Sequence, residues 1–197
     1  MMSVLTRLLD LLFPPRESAT LVAGATINDL HRRYAPGTYV VDGARIMYLL
    51  PYRDPLVRAC VVEAKFHGNT RAQGLLGRML EDYAGTTDAV LVPIPLSARR
   101  LRARGYNQVE EIAKARCAGR VDTTVLQRTR DTRAQTAAQE REERLRNLTG
   151  AFSATVDPAK RYLVVDDVAT TGATLSDAHR ALREAGAKYI ELLAIAH

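Results

Sequence analysis

The sequence has very little cysteine and no tryptophan. Its 197 residues include only Cys60 and Cys117, which lie far apart in the chain. This excludes a disulfide-rich scaffold and a zinc site built from four cysteines of one chain, so no zinc ligand is expected. Both residues are expected to be small buried thiols in a reducing compartment. With 47% hydrophobic residues, the chain can still form a core without crosslinks.

Long apolar runs are missing as well. No run reaches the roughly 18–20 residues that a bilayer requires, so no membrane partner is expected. The first apolar stretch, Val4 to Phe13, contains Arg7 and Asp10 and lacks a basic start. We interpret it as a short amphipathic helix ending at Pro14-Pro15, and not as a secretion signal. The predicted location is the cytoplasm.

Lysine is scarce, and arginine supplies most of the positive charge. The net charge is +6, from 28 basic and 22 acidic residues. The excess lies in two arginine-rich segments, 99–104 and 127–147. Because the planar guanidinium group binds phosphate oxygens in pairs, these segments indicate anionic ligands. A solvated basic face is the alternative interpretation.

Hydrophobic patterning predicts an α/β protein with a parallel sheet and helices on both faces. After a first helix and an irregular connection up to residue 36, we expect a hairpin at 38–49 that turns at Asp42-Gly43. The predicted helices are 55–66, 70–83, 107–118, 135–148 and 176–185, and the predicted strands are 89–92, 123–126, 162–165 and 189–196. Residues 1–52 would form an N-terminal helix and hairpin, and residues 53–197 the α/β domain.

The strand predicted at 162–165 runs into two adjacent carboxylates, Asp166 and Asp167, and then a helix. The loop between them is Ala169, Thr170, Thr171, Gly172, Ala173 and Thr174. Such a loop offers backbone N–H groups to a phosphate at a helix N-terminus. The carboxylates would repel that phosphate and suit a ribose diol with a divalent metal nearby. The window therefore predicts a binder of a ribose 5-phosphate group.

Residues 162–174 closely resemble the 5-phosphoribosyl-1-pyrophosphate (PRPP) motif of the type I phosphoribosyltransferases. Further segments resemble the ComF family of competence proteins in the family's order, from about residue 52 to the C-terminus: 65–69, 92–97, 104–108 and 128–152. Such proteins usually carry a four-cysteine zinc finger after an opening like Leu11 to Pro15, whereas Arg16-Glu17-Ser18 follows here. The resemblance thus implies a type I phosphoribosyltransferase-like fold without that finger.

The resemblance also implies roles for individual residues. Asp166 and Asp167 would be the catalytic carboxylates, would hold the ribose hydroxyls and would contact Mg²⁺ indirectly, while residues 169–174 hold the 5-phosphate. Segment 127–149 resembles a loop that closes over such sites. The candidates for pyrophosphate or another anion are Lys65, Pro95, Leu96, Ser97, Arg99, Arg100, Arg104, Arg128 and Arg130.

Three functions fit these residues. The first is Mg²⁺-dependent transfer of a phosphoribosyl group from PRPP to an acceptor that the sequence does not identify. The second, implied by the competence proteins, is DNA uptake with single-stranded DNA or a protein as the ligand, although aromatic residues make up only 6% of the chain. The third is a non-catalytic PRPP sensor. A homodimer is the further partner considered, and a nucleotide triphosphatase is excluded because no Gly-x-x-x-x-Gly-Lys-[Ser/Thr] loop occurs.

Overall fold

The computed structural model describes residues 16–129 and 150–197. The helices predicted at 4–13 and 135–148, most of the predicted closing loop, and Arg130 lie outside the described residues. The described helices are α1 Glu17–Gly24, α2 Ile27–His31, α3 Pro55–Phe66, α4 Thr70–Ala84, α5 Ala98–Arg104, α6 Gln108–Cys117 and α7 Ala173–Glu184. The described strands are β1 Gly37–Val41, β2 Ala44–Leu50, β3 Val90–Pro93, β4 Leu126–Arg128, β5 Phe152–Ala154, β6 Arg161–Val168 and β7 Tyr189–Ala196.

Five strands form one sheet in the order β1-β2-β7-β6-β3. The hairpin strands β1 and β2 are antiparallel, and the pairs β2–β7, β7–β6 and β6–β3 are parallel. Helices α1–α4 and α6 contribute to the core on one face, while α7 and the β4–β5 ribbon contribute to the core on the other. The predicted class, a mostly parallel α/β sheet flanked by helices, is confirmed.

Strand β6 contributes to both cores because its side chains alternate between the two faces. Leu163 and Val165 pack into the larger core with α3, α4 and α6. Tyr162 and Val164 pack into the smaller core with α7. The prediction ended this strand at residue 165, but the strand continues to Val168. The two acidic residues therefore lie within the strand, so the same alternation applies to them.

The predicted hairpin is confirmed, and it extends the main sheet. Asp42 and Gly43 both have positive φ, 48° and 78°, as a tight two-residue hairpin turn requires. Strand β2 pairs directly with β7, so the hairpin lies beside the strands of the α/β region. The division of the chain near residue 52 stays a prediction.

Two local predictions are wrong, and one helix lies where no element was predicted. Two helices, α1 and α2, lie where an irregular connection was expected, and Thr26 and Asp29 form a capping box that starts α2. The arginine run forms helix α5, which Ser97 caps at its N-terminus, and no element was predicted there because the run lacks the apolar periodicity that indicates a helix. The strand expected at 123–126 is displaced to β4, because its pairing with β5 sets the register.

The structure also bears on the two cysteines and on membrane-spanning helices. Cys60 and Cys117 are both free and buried, as predicted. Within the ranges that the structure describes, no helix is both long enough and apolar enough to cross a bilayer.

Candidate functional site

The connection between β6 and α7 forms a small cavity at the carboxyl edge of the sheet. The cavity has a volume of about 40 Å³ and is lined by Asp166, Val168 and residues 169–175. Helix α7 begins after Gly172 without a side-chain cap. In residues 16–129 and 150–197, no acceptor is found for the N–H groups of Thr170, Thr171 and Gly172. Unpaired N–H groups beside a helix N-terminus are suited to bind an anion.

Gly172 is required for two reasons. Its φ of +74° lies in the left-handed region, which favours glycine. A Cβ atom at this position would lie 2.6 Å from Ile46 Cδ1 and 2.9 Å from Val41 Cγ2, both in the hairpin. The hairpin therefore packs directly against the loop. The packing requirement does not follow from the sequence, because Ile46 and Val41 lie far from Gly172 in the chain.

The end of β7 fixes the first residue of the loop. The N–H of Ala169 donates to the carbonyl of Ala196 at 3.1 Å. The carbonyl of Ala169 accepts a hydrogen bond from Nδ1 of His197 at 2.7 Å, so that ring nitrogen carries the proton. The His197 ring stacks on Tyr39, with 4.5 Å between centroids. His197 thus contacts both the first residue of the loop and the hairpin.

Asp166 is the member of the acidic pair that lines the cavity. Its Oδ1 accepts a hydrogen bond from the N–H of Asp167 at 2.9 Å, and its carboxyl group is partly exposed. Burial, followed by the neighbouring charge of Asp167, raises the pKa of Asp166 to about 7. In the free protein, this carboxyl group therefore takes up a proton at a higher pH than an ordinary aspartate does.

Asp167 lies on the opposite side of β6 and is 3% exposed. Its Oδ2 lies 3.0 Å from the Nζ of Lys65 and accepts a hydrogen bond from Nε2 of Gln108 at 3.0 Å. Its Oδ1 accepts the N–H of Val168 at 2.7 Å. The sequence treated the two acids as equivalent. The structure places one at the cavity and surrounds the other with protein donors.

Two of the predicted anion-binding residues lie in the same network as Asp167. Lys65 is in the last turn of α3 and forms the ion pair. Arg104 ends α5, donates a hydrogen bond to Oε1 of Gln108, and lies 5.3 Å over the ring of Phe66. Burial lowers the pKa of the Arg104 guanidinium, and the charge of Asp167 partly offsets this effect.

The other predicted anion-binding residues lie in different surroundings. Pro95 and Leu96 follow β3, and the hydroxyl of buried Ser97 accepts the N–H of Arg100 at 3.3 Å to start α5. Arg99 and Arg100 are exposed. Arg128 lies on the β4–β5 ribbon, 5.2 Å over the ring of Phe152.

Sequence reasoning did not select three residues of this region. Gln108 and Tyr106 lie in a segment that carries the family resemblance, but no spacing pattern predicts their contacts. The Tyr106 hydroxyl donates to the carbonyl of Ala64 at 3.0 Å and accepts the N–H of Gly68 at 2.8 Å, which fixes the turn after Lys65. The buried Tyr39 hydroxyl has no partner among the described residues, and burial and the charge of Asp166 raise its pKa to about 12.

The donor set at the cavity is sparse for a metal ion. Within the described part of the chain, no group of three or more His, Cys, Asp or Glu side chains could hold one. Mg²⁺ commonly keeps several waters and takes one or two carboxylates together with substrate phosphates. The single carboxylate of Asp166 at the cavity fits a Mg²⁺ ion of that kind.

The fold and the cavity define an α/β protein with a candidate phosphate-binding loop, and no family model matches the chain. The chain is 34% identical over 133 residues to competence protein ComFC of Streptococcus pneumoniae, covering 66% of this chain and 59% of the relative. It is 32% identical over 114 residues to competence protein F of Haemophilus influenzae, with coverages of 54% and 49%. These matches confirm the resemblance to the ComF family, and the chain spans about half to three fifths of the length of these relatives.

Solved structures also resemble the chain. An orotate phosphoribosyltransferase of Mycobacterium tuberculosis matches 88% of this chain and 79% of its own, with 18% identity and a TM-score of 0.41. An allosteric regulatory enzyme of purine biosynthesis matches 69% of this chain and 30% of its own, with 24% identity and a TM-score of 0.43.

Proposed function

We propose that this chain binds PRPP together with Mg²⁺ and transfers its phosphoribosyl group to an acceptor. The observation that carries the proposal is the cavity between β6 and α7. It combines unpaired N–H groups at an uncapped helix start with the carboxyl group of Asp166. One small site thus offers donors for a phosphate and an acceptor for a sugar hydroxyl.

The N–H groups of Thr170, Thr171 and Gly172 would bind the 5-phosphate. The partial positive charge at the start of α7 favours an anion at that place. The side chains of Thr170 and Thr171 add hydroxyl donors. Since the loop has few bulky side chains, the phosphate can approach its backbone closely.

The acidic pair would divide its work. Asp166 would accept a hydrogen bond from a ribose hydroxyl. Its negative charge would also favour the cationic ribose ring that develops as the anomeric C–O bond breaks. Asp167 would hold Lys65 in place, since its oxygens accept hydrogen bonds from protein donors. This division follows from the alternation along β6.

The departing pyrophosphate takes the electron pair of the broken bond and gains negative charge. Lys65 contacts Asp167 directly and Arg104 is linked to it through Gln108, and both cations would stabilise that charge. Asp166 would hold a Mg²⁺ ion, which would supply positive charge to neutralise part of the phosphate charge.

Calorimetric titration of PRPP, with and without Mg²⁺, tests the binding step. We expect binding that depends on Mg²⁺ in the parent protein and is weakened at least about tenfold in Asp166→Asn, while Asp88→Asn, a change at an exposed aspartate, leaves it unaltered. No heat at millimolar PRPP with a folded protein contradicts the proposal. Pyrophosphate release against purines, pyrimidines and amines then separates an enzyme from a PRPP sensor, which would bind without turnover.

A second candidate function is binding of single-stranded DNA, and one surface favours it. Phe66 is 60% exposed beside Arg104, and Arg99, Arg100 and Arg102 are exposed along α5. An exposed aromatic ring within a cationic surface suits a stacked base and its phosphates. The names of the two relatives, both competence proteins, agree with such a role.

Oligonucleotide binding over a salt series tests this second candidate. Phe66→Ala should weaken binding at low salt. Tyr189→Ala is a matched control, because Tyr189 is 54% exposed and also lies beside an arginine, Arg161. Equal binding by both variants, or no binding at low salt, contradicts the DNA function. Competition by PRPP would place both ligands on the same arginines.

A further inference from the structure

The five residues from Arg104 to Gln108 connect several neighbouring segments of the site. Tyr106 binds the turn after α3 through Ala64 and Gly68. Asn107 donates from Nδ2 to the carbonyl of Ile94 at 3.0 Å, just after β3, while its Oδ1 accepts the N–H of Val109 to start α6. These contacts fix the position of the residue that follows, Gln108.

Gln108 is 3% exposed and uses both ends of its amide. Its Nε2 donates to the carboxylate of Asp167 at 3.0 Å, and its Oε1 accepts a hydrogen bond from the guanidinium of Arg104. An amide is suited to this place because it carries a donor and an acceptor side by side. An anionic side chain would repel Asp167, and a cationic one would repel Arg104.

We propose that Gln108 is a positioning residue that couples Arg104 to Asp167, so that the anion-binding arginine and the strand-end carboxylate are held as one unit. The inference rests on the proposed function, since it assigns Arg104 to the pyrophosphate group. Gln108 itself does not bind the anion. It orients the guanidinium, and it completes the hydrogen bonds of the carboxylate that holds Lys65.

The variant Gln108→Glu tests the coupling, with inorganic pyrophosphate and then Mg²⁺-PRPP as probes. A protonated glutamic acid has one donor and one acceptor and reproduces the contacts of the amide, whereas the ionised form faces the carboxylate of Asp167. We expect the affinity relative to the parent to be near parental at about pH 5.5 and to fall about tenfold by about pH 8. Gln108→Met, which has neither group, should be weak throughout that range.

The charged groups of this network, Asp166, Asp167, Lys65 and Arg104, are present in both proteins, so the ratio of variant to parent at each pH removes the effects that the two proteins have in common. Gln73→Glu is the matched control, because Gln73 is also buried, at 7% exposure, and its side chain makes no hydrogen bond to Asp167. The Gln73→Glu variant should become less stable as pH rises, but its affinity relative to the parent should not change. A Gln108→Glu ratio that does not change with pH, or parental affinity in Gln108→Met, overturns the coupling.

If the folded parent binds neither probe, the proposed function fails, and the coupling is then measured without ligand. The unfolding free energies of Arg104→Met, Asp167→Asn and their double variant give the interaction between the two residues. An interaction that disappears when Gln108 is replaced by Met supports the inference. Additive effects with Gln108 present, or the same interaction in both backgrounds, contradict it.

Discussion

The ammonium group of Lys65 lies 3.0 Å from Oδ2 of Asp167, joining the last turn of α3 to the end of β6. The Asp167 side chain is 4% exposed and the Lys65 side chain 28% exposed, so the anion is the more deeply buried partner. Removing a buried ion's partner costs more than the pair itself contributes, because the remaining charge lacks compensation. This pair therefore affects folding as well as the ligand binding proposed above.

Lys65→Met should lower the free energy of unfolding by about 2–3 kcal/mol at neutral pH, because Asp167 remains buried without its cation. The same change in the Asp167→Asn background should cost less, since no buried charge is then left. Urea denaturation of the parent, the two single variants and the double variant measures the difference between these two costs. Lys114→Met breaks an exposed helical pair with Glu110 and should change stability much less than Lys65→Met does. Equal costs for Lys65 in both backgrounds would contradict the expectation.

Asp166→Asn should stabilise the free protein, and the gain should grow with pH. The folded-state pKa is raised from 3.8 to about 7, so below pH 3.8 both states are protonated and ionisation of this group gives no penalty. As pH rises towards 7, the unfolded state ionises first and the parent loses stability. The asparagine variant avoids a loss on the order of 2 kcal/mol at pH 8, after allowance for the partial exposure of the group.

Urea denaturation at about pH 4 and about pH 8 checks this sign, because the variant should exceed the parent more at the higher pH. Asp88→Asn is the control, since the Asp88 side chain is 81% exposed and its replacement should change stability little at either pH. A larger gain at the acidic end for Asp166→Asn would mean that its carboxyl group has no raised pKa.

Glu63→Gln should destabilise the protein at neutral pH, with an effect that fades in acid. Hydrogen bonding from Arg16 is the main cause that lowers the pKa of Glu63 to about 2, and Ser18 and Asn69 also donate to it. The stabilisation is present above the ordinary value of 4.5 and is lost as pH falls through about 2. It amounts to on the order of 2–3 kcal/mol at pH 7.

Thermal unfolding from about pH 2 to pH 7 measures this dependence. Glu184→Gln is the control, since the Glu184 side chain is 64% exposed in a pair with Arg180. A difference between Glu63→Gln and the parent that stays constant over this range would show that the Glu63 carboxyl group is not specifically stabilised in its ionised form.

Gly172→Ala should impair both the fold and phosphate binding. The sequence alone predicts that Gly172→Val abolishes PRPP binding without harm to the fold, but the contacts with Ile46 and Val41 leave no space for a Cβ atom. With φ at +74°, we expect a cost of about 1–2 kcal/mol before any displacement of the hairpin. Gly74→Ala in α4 is the control, because nothing lies within 4 Å of its Cβ position, and it should stabilise the protein.

Elements with strong local signals were predicted well. The observed bounds of α3 match the prediction, and α4 matches to within a residue, because the residues before them, Asp54 and Asn69, cap them through side-chain oxygens. Strand β7 also matches, as a strongly apolar segment after Gly186. In each case the sequence itself contains the start or stop signal.

The site was predicted in part, because its contacts join distant residues. The acids and the loop lie at the predicted edge of the sheet. Gln108 and Asp167, however, are 59 positions apart, and only the packing of α6 beside β6 brings them together. The opposite placement of the two acids follows from strand alternation, which becomes visible once β6 is known to reach Val168.

The close packing of Gly172 against the hairpin also affects how a ligand is recognised. Because Gly172 packs against Ile46 and Val41 in the free protein, we expect the loop to lose its conformational entropy during folding and not when the proposed phosphate binds. Binding should then resemble docking to a rigid surface, with an association rate set mainly by electrostatic attraction. Damage to the β1–β2 hairpin should therefore slow the proposed phosphate binding, although neither strand belongs to the loop that would donate the N–H groups.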